Sequence, residues 1–271
     1  MSEILNCIIF YDNYEEVASY VLQLEEQNLN EKIKLAITVN RDTEGRAKLL
    51  SSSQIDINLF FPNENLGYLN GLFYSYESFL REGLSIKWVV FSNTDIEIPD
   101  KNFFEKLLAS DYSEDVFCIA PSIFEKNRKV YENPQYYERY TSKSIKRRIF
   151  IFSHPILSKY YLALSQVKSS LSRKKKKNSS YVYSAHGSFF ILKPKFLNEL
   201  ERNYMSLMYS EEAFIAEEIR LSNGKVYYDD TLEVIHNESQ TTSKIDFKQK
   251  SNYIAESLLK IYNQYFNEDF I

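Results

Sequence analysis

Short apolar runs alternate with amphipathic segments over the first part of the chain. The apolar runs predict β-strands at residues 4–10, 33–39 and 55–61. Helical spacing between the first two runs predicts a helix to about residue 27 with Asn13 as its N-cap, and a shorter helix is predicted at 47–50. This alternation predicts one half of a doubly wound α/β sheet.

The most sharply bounded apolar run is residues 88–91, which polar residues follow directly up to Asp95. A run that is apolar throughout is typical of a strand buried on both faces of a parallel sheet. Ligands of open α/β sheets bind at the carboxyl ends of strands, so Asp95 is predicted to meet a divalent cation and a diphosphate, with Asn93 as a further oxygen donor. The alternative is a plain turn in which Asp95 caps backbone amides.

A loop rich in asparagine and glycine, residues 62–71, precedes a predicted helix at 72–81. Gly67 and Gly71 lie in it, although the whole chain has only six glycines. A glycine where a loop meets a helix N-terminus permits close approach to a phosphate, whereas the alternative is an ordinary turn with an N-cap. A helix at 99–108 and a strand at 116–120 are predicted next.

The regular alternation fails between residues 124 and 180. Two basic clusters, residues 143–148 and 173–177, lie on either side of an aromatic and aliphatic stretch at 149–167. One interpretation is a solvated, mobile loop, with the aromatic side chains packed on the α/β domain as a lid. The other is an amphipathic surface that meets anionic lipid or a lipid-linked substrate.

Regular patterns resume after residue 180. A strand-like segment at 181–192 precedes a helix containing Glu211 and Glu212, an edge strand at 225–228 and a last strand at 232–236. A helical pattern at 247–266 closes the chain. We therefore divide the chain into an α/β domain (1–242) with an insertion at about 124–180, and a C-terminal helical segment (243–271).

Composition narrows the function. A formal net charge of −4 argues against nucleic acid as a partner, because there is no overall basic field to attract phosphates. The two cysteines, each inside an apolar segment, do not form a disulfide framework. The chain has no basic-then-apolar signal at its N-terminus and no apolar run of about 20 residues, so a cytoplasmic protein is expected.

Several motifs, in this order, resemble bacterial family 2 glycosyltransferases of the GT-A fold, near the branch that assembles capsules and other polysaccharides. The resemblance covers residues 4–242. The motifs are the "NLG" loop at 65–67, a variant DXD signature at 92–95, "AP" at 120–121 with a "QNP"-like segment at 132–134, "HGSF" at 186–189, the acid pair at 211–212 and a "VxHxxS"-like close at 234–239.

The resemblance implies roles for particular residues. Asp95 and His236 would bind Mg²⁺ or Mn²⁺, and Glu212, with Glu211 beside it, would be the catalytic base. His186 and Gly187 would lie on the acceptor side. The residues implied in nucleotide-sugar binding are Tyr11, Asn40, Asn65, Gly67, Asn93 and Asp95.

The chain departs from the family at several points. Asn93 stands where the DXD signature has its first Asp, and Asn40 stands where an Asp usually reads the pyrimidine edge. An arginine that often follows the acid pair is absent, and so is the "QxxRW" segment of processive polymerases. These departures weaken the expected metal site and argue against processive synthesis.

The sequence therefore predicts an inverting transferase that moves a sugar from a UDP- or dTDP-sugar to a glycan or lipid-linked glycan acceptor. We expect it in the cytoplasm and at the inner face of the plasma membrane. A nucleotidyltransferase is disfavoured, because the glycine- and lysine-rich phosphate loop is missing. A non-catalytic protein that binds sugar nucleotides or glycans is the alternative.

Overall fold

The computed structural model describes residues 4–80, 85–172, 175–200, 203–237 and 246–267, with the side chains of 166–172 left aside. Within these ranges one mixed sheet runs through the molecule. Its strands are β1 (Ile4–Tyr11), β2 (Ile33–Arg41), β3 (Asp56–Phe60), β4 (Trp88–Ser92), β5 (Ile96–Glu97), β6 (Val116–Glu125), β7 (Val130–Tyr131), β8 (Ser180–Val182), β9 (Phe189–Leu192) and β10 (Lys225–His236).

Helices lie between these strands and after the last of them. They are α1 (Tyr14–Glu25), α2 (Leu69–Leu80), α3 (Phe103–Ala109), α4 (Ser142–Phe152), α5 (Pro155–Ser172), α6 (Pro194–Asn198), α7 (Glu211–Leu221) and α8 (Phe247–Tyr265). None of them, within the residues described, combines the length and the apolar character needed to cross a membrane.

The strand order is β3-β2-β1-β4-β9-β6-β10-β5. The first four strands are parallel, which confirms the predicted half of a doubly wound sheet. β9 runs antiparallel between β4 and β6, so the sheet is mixed beyond that point. The connection from β2 to β3 contains a 3₁₀ turn, Ala47–Leu49, where the sequence predicted a short helix.

Two hydrophobic cores form because successive side chains of a strand point to opposite faces. In β1, Leu5 and Cys7 belong to one core, whereas Ile4 and Ile8 belong to the other. All four are fully buried. The sheet is thus covered on both faces, as its continuous apolar strands require.

The two strands predicted at 225–228 and 232–236 are one strand, β10, so the prediction of an edge strand is wrong. β10 pairs with β6 on one side and with β8 and β5 on the other. The polar residues between the two runs form an irregularity in register between Asp229 and Glu233. Asp229 Oδ1 accepts a hydrogen bond from the backbone nitrogen of Thr231 there, at 2.9 Å.

The insertion contains two helices, α4 and α5, which pack with α8. Phe152, only 4% exposed, lies against Ala255 and Leu258 of α8. Ser251 of α8 donates a hydrogen bond to the carbonyl oxygen of Phe152 at 2.7 Å. The loop interpretation is therefore wrong for α4 and for most of the aromatic stretch.

Asn13 is the N-cap residue of α1, as predicted, and its carbonyl oxygen accepts a hydrogen bond from the backbone nitrogen of Val17 at 3.1 Å, but its side chain makes no capping hydrogen bond. Its Oδ1 accepts a hydrogen bond from the backbone nitrogen of Tyr11 at 2.8 Å. Its Nδ2 donates to Thr94 Oγ1, also at 2.8 Å. The side chain therefore connects the end of β1 to the segment that carries Asp95.

Some predicted features lie outside the described residues. These are the helix end at Arg81, Arg173 and Lys174 of the second basic cluster, and residues 238–242 of the last motif and loop.

Gly67 allows two backbone segments to meet. Its φ is +77°, in the left-handed region, and a Cβ added there would lie 2.2 Å from the carbonyl oxygen of Leu207. The next residue, Tyr68, donates its backbone N–H to that same oxygen at 2.9 Å. The close approach permitted by this glycine is thus to a neighbouring loop.

Gly67→Ala is expected to destabilise the protein by about 3 kcal/mol or more, from left-handed strain plus the contact with Leu207. Gly45 is the matched control, because its φ is +69° and no atom lies within 4 Å of the added Cβ. Gly45→Ala should therefore cost only about 1 kcal/mol. Denaturant unfolding measures both, and equal losses would contradict the steric role assigned to Leu207.

Candidate active site

The segment after β4 is held between two other parts of the sheet. Asn93 donates its backbone N–H to the carbonyl oxygen of Ser188 at 2.8 Å. Asn237, just after β10, donates its N–H to the carbonyl oxygen of Asp95 at 3.0 Å. These bonds bring Asp95 beside His236, as the two predicted metal ligands require.

His236 lies between two carboxylates. Its Nε2 is 3.6 Å from Asp95 Oδ1, and its Nδ1 is 2.8 Å from Glu132 Oε2. All three side chains are at most 9% exposed. Sequence reasoning did not select Glu132, whose only signal was an acid in the segment resembling "QNP".

The carboxylates shift the proton equilibria of this group. Burial alone lowers the pKa of His236, but the nearby charges of Asp95 and Glu132 outweigh it and raise the pKa to about 10. Burial raises the pKa of Glu132, but His186, His236 and Arg128 together lower it to about 2.

The donor set fits a divalent cation. Two ligand atoms bound to one ion at about 2.1 Å lie about 3 Å apart when their bonds are perpendicular, so the 3.6 Å between Asp95 and His236 is compatible with a shared ion. Glu132, His186 and His236 form a second group, with one ligand atom of each lying within 4.8 Å of the others.

His186 and Gly187 lie between this group and α7. The backbone nitrogen of His186 donates to Asn133 Oδ1 at 2.7 Å. The carbonyl oxygen of Gly187 accepts a hydrogen bond from Tyr68 at 3.0 Å. A Cβ added to Gly187 would lie 3.8 Å from Glu212 Oε2, so the glycine leaves the approach to this carboxylate open.

Glu211 and Glu212 begin α7 in different surroundings. Glu211 is buried, and burial together with the charge of Glu212 raises the pKa of Glu211 to about 8. Glu212 is half-buried and faces Gly187. The two residues before the pair, Tyr209 and Ser210, both have left-handed φ, 69° and 67°, a conformation that costs non-glycine residues energy and is found at functional sites.

Of the predicted nucleotide-binding residues, Asn93 and Asp95 follow β4, and the other four lie at the ends of β1 and β2 and in the loop before α2. Asn40 donates to the carbonyl oxygen of Gly67 at 2.8 Å and accepts from the backbone nitrogen of Leu66 at 3.2 Å. Asn65 Oδ1 accepts from the Gly67 nitrogen at 2.9 Å. Both amides therefore hold the loop in shape, and each keeps capacity for a further hydrogen bond.

Tyr11 ends β1 with a ring that is 36% exposed. The guanidinium of Arg41 lies over this ring, 5.5 Å from its centroid, and pairs with Asp12. An exposed aromatic ring at the carboxyl end of a strand offers a surface on which a nucleobase could stack.

In sequence comparisons, no protein-family model and no curated protein matches the chain. Solved structures do match in fold. GalNAc-T7 with UDP, GalNAc and Mn²⁺ aligns with a TM-score of 0.62 at 14% identity, over 99% of this chain and 49% of that one. The chain thus spans about half the length of that protein.

Two further glycosyltransferases share the fold. The S. aureus TarS 1–349 structure has a TM-score of 0.57 at 9% identity, over 97% of this chain and 72% of that one. The mannosyltransferase PcManGT from Pyrobaculum calidifontis, in complex with GDP-Man and Mn²⁺, has a TM-score of 0.55 at 11% identity, over 88% and 58%. The mixed sheet flanked by helices is therefore the GT-A glycosyltransferase fold.

Glu211→Gln is expected to stabilise the protein increasingly as pH rises. In the unfolded chain Glu211 ionises near its ordinary pKa of 4.5, whereas in the folded protein it keeps its proton up to about pH 8. Stability contributed by this group is therefore lost between those two values, and glutamine does not titrate.

Thermal unfolding of both proteins at pH 5 and pH 8 checks this prediction. The gain in Tm should be several degrees larger at pH 8. Glu77→Gln, at an exposed site on α2, should shift Tm by a degree or less at either pH. A gain independent of pH would contradict a protonated Glu211.

Proposed function

We propose that the protein is an inverting glycosyltransferase, related to family 2, that transfers a sugar from a UDP- or dTDP-sugar to a glycan acceptor in bacterial polysaccharide or capsule assembly. The observation that supports this most is the position of Asp95 and His236, at the carboxyl ends of strands in a GT-A fold. GalNAc-T7, with UDP and Mn²⁺ in its structure, and TarS, which has been solved with UDP-GlcNAc, share that fold.

Asp95 and His236 would hold the divalent cation, Mg²⁺ or Mn²⁺. When bound, the ion would neutralise charge on the leaving diphosphate. An imidazole ligand favours Mn²⁺ over Mg²⁺, which prefers oxygen ligands. His236 must give up a proton to bind the ion.

Glu212 would take the proton of the acceptor hydroxyl as the general base. Its half-buried position facing Gly187 leaves it open to an acceptor on the side of His186. Glu211 is buried and holds its proton up to about pH 8, so it is unsuited to this role at neutral pH.

The nucleotide would bind at the ends of β1 and β2. Tyr11 would stack on the base, and Asn40 would hydrogen-bond its edge with the capacity left by the loop contacts. Asn65, Gly67 and Asn93 would shape the surface near the ribose and the phosphates.

Release of UDP or dTDP from a panel of sugar nucleotides tests this function. We expect divalent-dependent release of one of them, lowered about 10²-fold or more in Asp95→Ala because the ion's stabilisation of the leaving group is lost. Glu212→Gln should keep donor binding but lower transfer by about 10²- to 10⁴-fold, and Glu211→Gln should cost less.

The outcome distinguishes a glycosyltransferase from a non-catalytic protein that binds sugar nucleotides or glycans. A non-catalytic protein would bind a sugar nucleotide without releasing the nucleoside diphosphate. Activity that survives EDTA and the Asp95 substitution would refute the cation role. A larger loss in Glu211→Gln than in Glu212→Gln would reverse the assignment of the base.

We further propose that the acceptor is lipid-linked and that the protein works at the cytoplasmic, anionic face of a membrane. The chain has many lysines and arginines but no Asp or Glu between Glu138 and Glu199. Apolar side chains on α4 and α5 are exposed in this acid-free region. They are Phe150 (59%), Ile156 (73%), Leu157 (44%), Tyr160 (68%) and Leu164 (70%).

Ile156, Tyr160 and Leu164 recur every four residues, so they form one stripe along α5. Exposed cations lie nearby on the same two helices, Arg147 and Lys159 among them. Phe152 and Tyr161, which the sequence placed on the same surface, pack against the cluster with α8 instead. Lys176 pairs with Glu233, so part of the second basic cluster contacts β10.

Vesicle co-sedimentation checks the membrane surface. We expect binding to anionic but not to neutral vesicles, lost at high salt because head-group attraction is screened. Replacing Ile156, Tyr160 and Leu164 with serine should abolish binding, as should serine at residues 173–177.

Serine at Leu22 and Leu49 is the matched control, because these leucines are 60% and 63% exposed but lie outside the acid-free region. This variant should bind like the natural chain. If the unsubstituted chain binds neither anionic nor neutral vesicles, the membrane proposal is contradicted. The proposal of sugar transfer would be unaffected by that result.

A further inference from the structure

Glu132 contacts His236 at the ring nitrogen that does not face Asp95. Nδ1 lies 2.8 Å from Glu132 Oε2, whereas Nε2 lies 3.6 Å from Asp95 Oδ1. An imidazole that binds a metal through one nitrogen usually donates its other N–H to an acceptor such as a carboxylate, which fixes the tautomer and the ring orientation. We propose that Glu132 is a positioning residue that holds His236 for the cation.

This inference rests on the proposed function, because it assumes a cation between Asp95 and His236. It adds a third chain segment to that site. Asp95 follows β4 and His236 ends β10, whereas Glu132 directly follows β7.

The segment around Glu132 is firmly held. Glu132 donates its backbone N–H to the carbonyl oxygen of Ile123 at 2.9 Å, and Asn133 Nδ2 donates to the carbonyl oxygen of Pro121 at 2.7 Å. The second carboxylate oxygen of Glu132 pairs with Arg128, which also pairs with the fully buried Glu125. Glu132 can therefore fix the imidazole ring without moving itself.

The geometry favours a positioning role over direct binding of the ion by Glu132. Oε2 of Glu132 is at hydrogen-bonding distance from His236 Nδ1, and an ion bound by both of these atoms would replace that hydrogen bond. His186 Nε2 lies 3.7 Å from the same oxygen, so the competing arrangement has Glu132, His186 and His236 as ligands. That arrangement does not include Asp95.

Titration of the 271-residue chain with Mn²⁺, followed by electron paramagnetic resonance of the free ion, tests the inference. Glu132→Gln keeps an acceptor for the N–H of Nδ1 but removes the charge, so we expect the Kd to rise about 10-fold. Glu132→Ala removes both, and the Kd should rise about 100-fold. If the alanine variant does not fold, the glutamine variant decides.

Glu125→Gln is the matched control. Glu125 pairs with His236 in the register of β6 and β10, but its buried carboxylate bonds to Asn127 and Arg128 and not to the imidazole, so the substitution changes the same Arg128 pair without removing a partner of the His236 ring. It should lower Tm yet leave the Kd for Mn²⁺ within about twofold, which separates positioning of His236 from general stability.

Each result decides between named alternatives. Unchanged Mn²⁺ affinity in the Glu132 variants would overturn the inference and leave the proposed function standing. A loss in His186→Asn as large as that in Glu132→Ala would also overturn it, in favour of direct binding by the three residues. Absence of Mn²⁺ binding by the natural chain would overturn both the inference and the proposed cation.

Discussion

Three buried side chains, Asp95, His236 and Glu132, lie in a row at the end of the sheet that carries the candidate site. The structure of this end of the sheet depends on their being paired with one another. A charge buried without a partner costs several kcal/mol, so each of these groups is tolerated because the others are present. They come from segments far apart in the chain. The row therefore depends on the register that places the ends of β4, β7 and β10 together.

Two adjacent glutamates show how the same fold separates roles by environment. Glu211 and Glu212 are neighbours in sequence, but a helix directs consecutive side chains about 100° apart. The Glu211 side chain is buried, whereas Glu212 is half-buried and faces Gly187. Differences of this kind are how proteins set neighbouring carboxyl groups to different protonation states.

The insertion has one buried surface and one exposed apolar surface. Ile145 and Phe152 of α4 face inward, and Phe152 reaches α8. Phe150, between them on the same helix, is exposed. The insertion and the C-terminal helix thus bury part of each other's apolar surface, while an apolar stripe on a basic background stays outside.

The local pattern of apolar and polar residues was enough to predict many of the strands and helices of this protein. Buried strands have continuous apolar runs, so β1, β2 and β4 could be recognised from composition over a few residues. The polar end of β4 pointed to Asp95, because ligands of open α/β sheets bind at the carboxyl ends of strands, whereas His236 was predicted from the resemblance to family 2 glycosyltransferases. The helix at 247–265 followed from its 3.6-residue period.

Pairing in space decided the rest. β10 reads as two strands because three polar residues interrupt it, and only its pairing with β6 makes it continuous. Asn13 is the N-cap residue of α1, but its side chain bonds to Thr94, 81 positions away, and not to the backbone of the helix. Glu132 has no local signal for its place beside His236, because the contact joins residues 104 positions apart and depends on the assembled sheet.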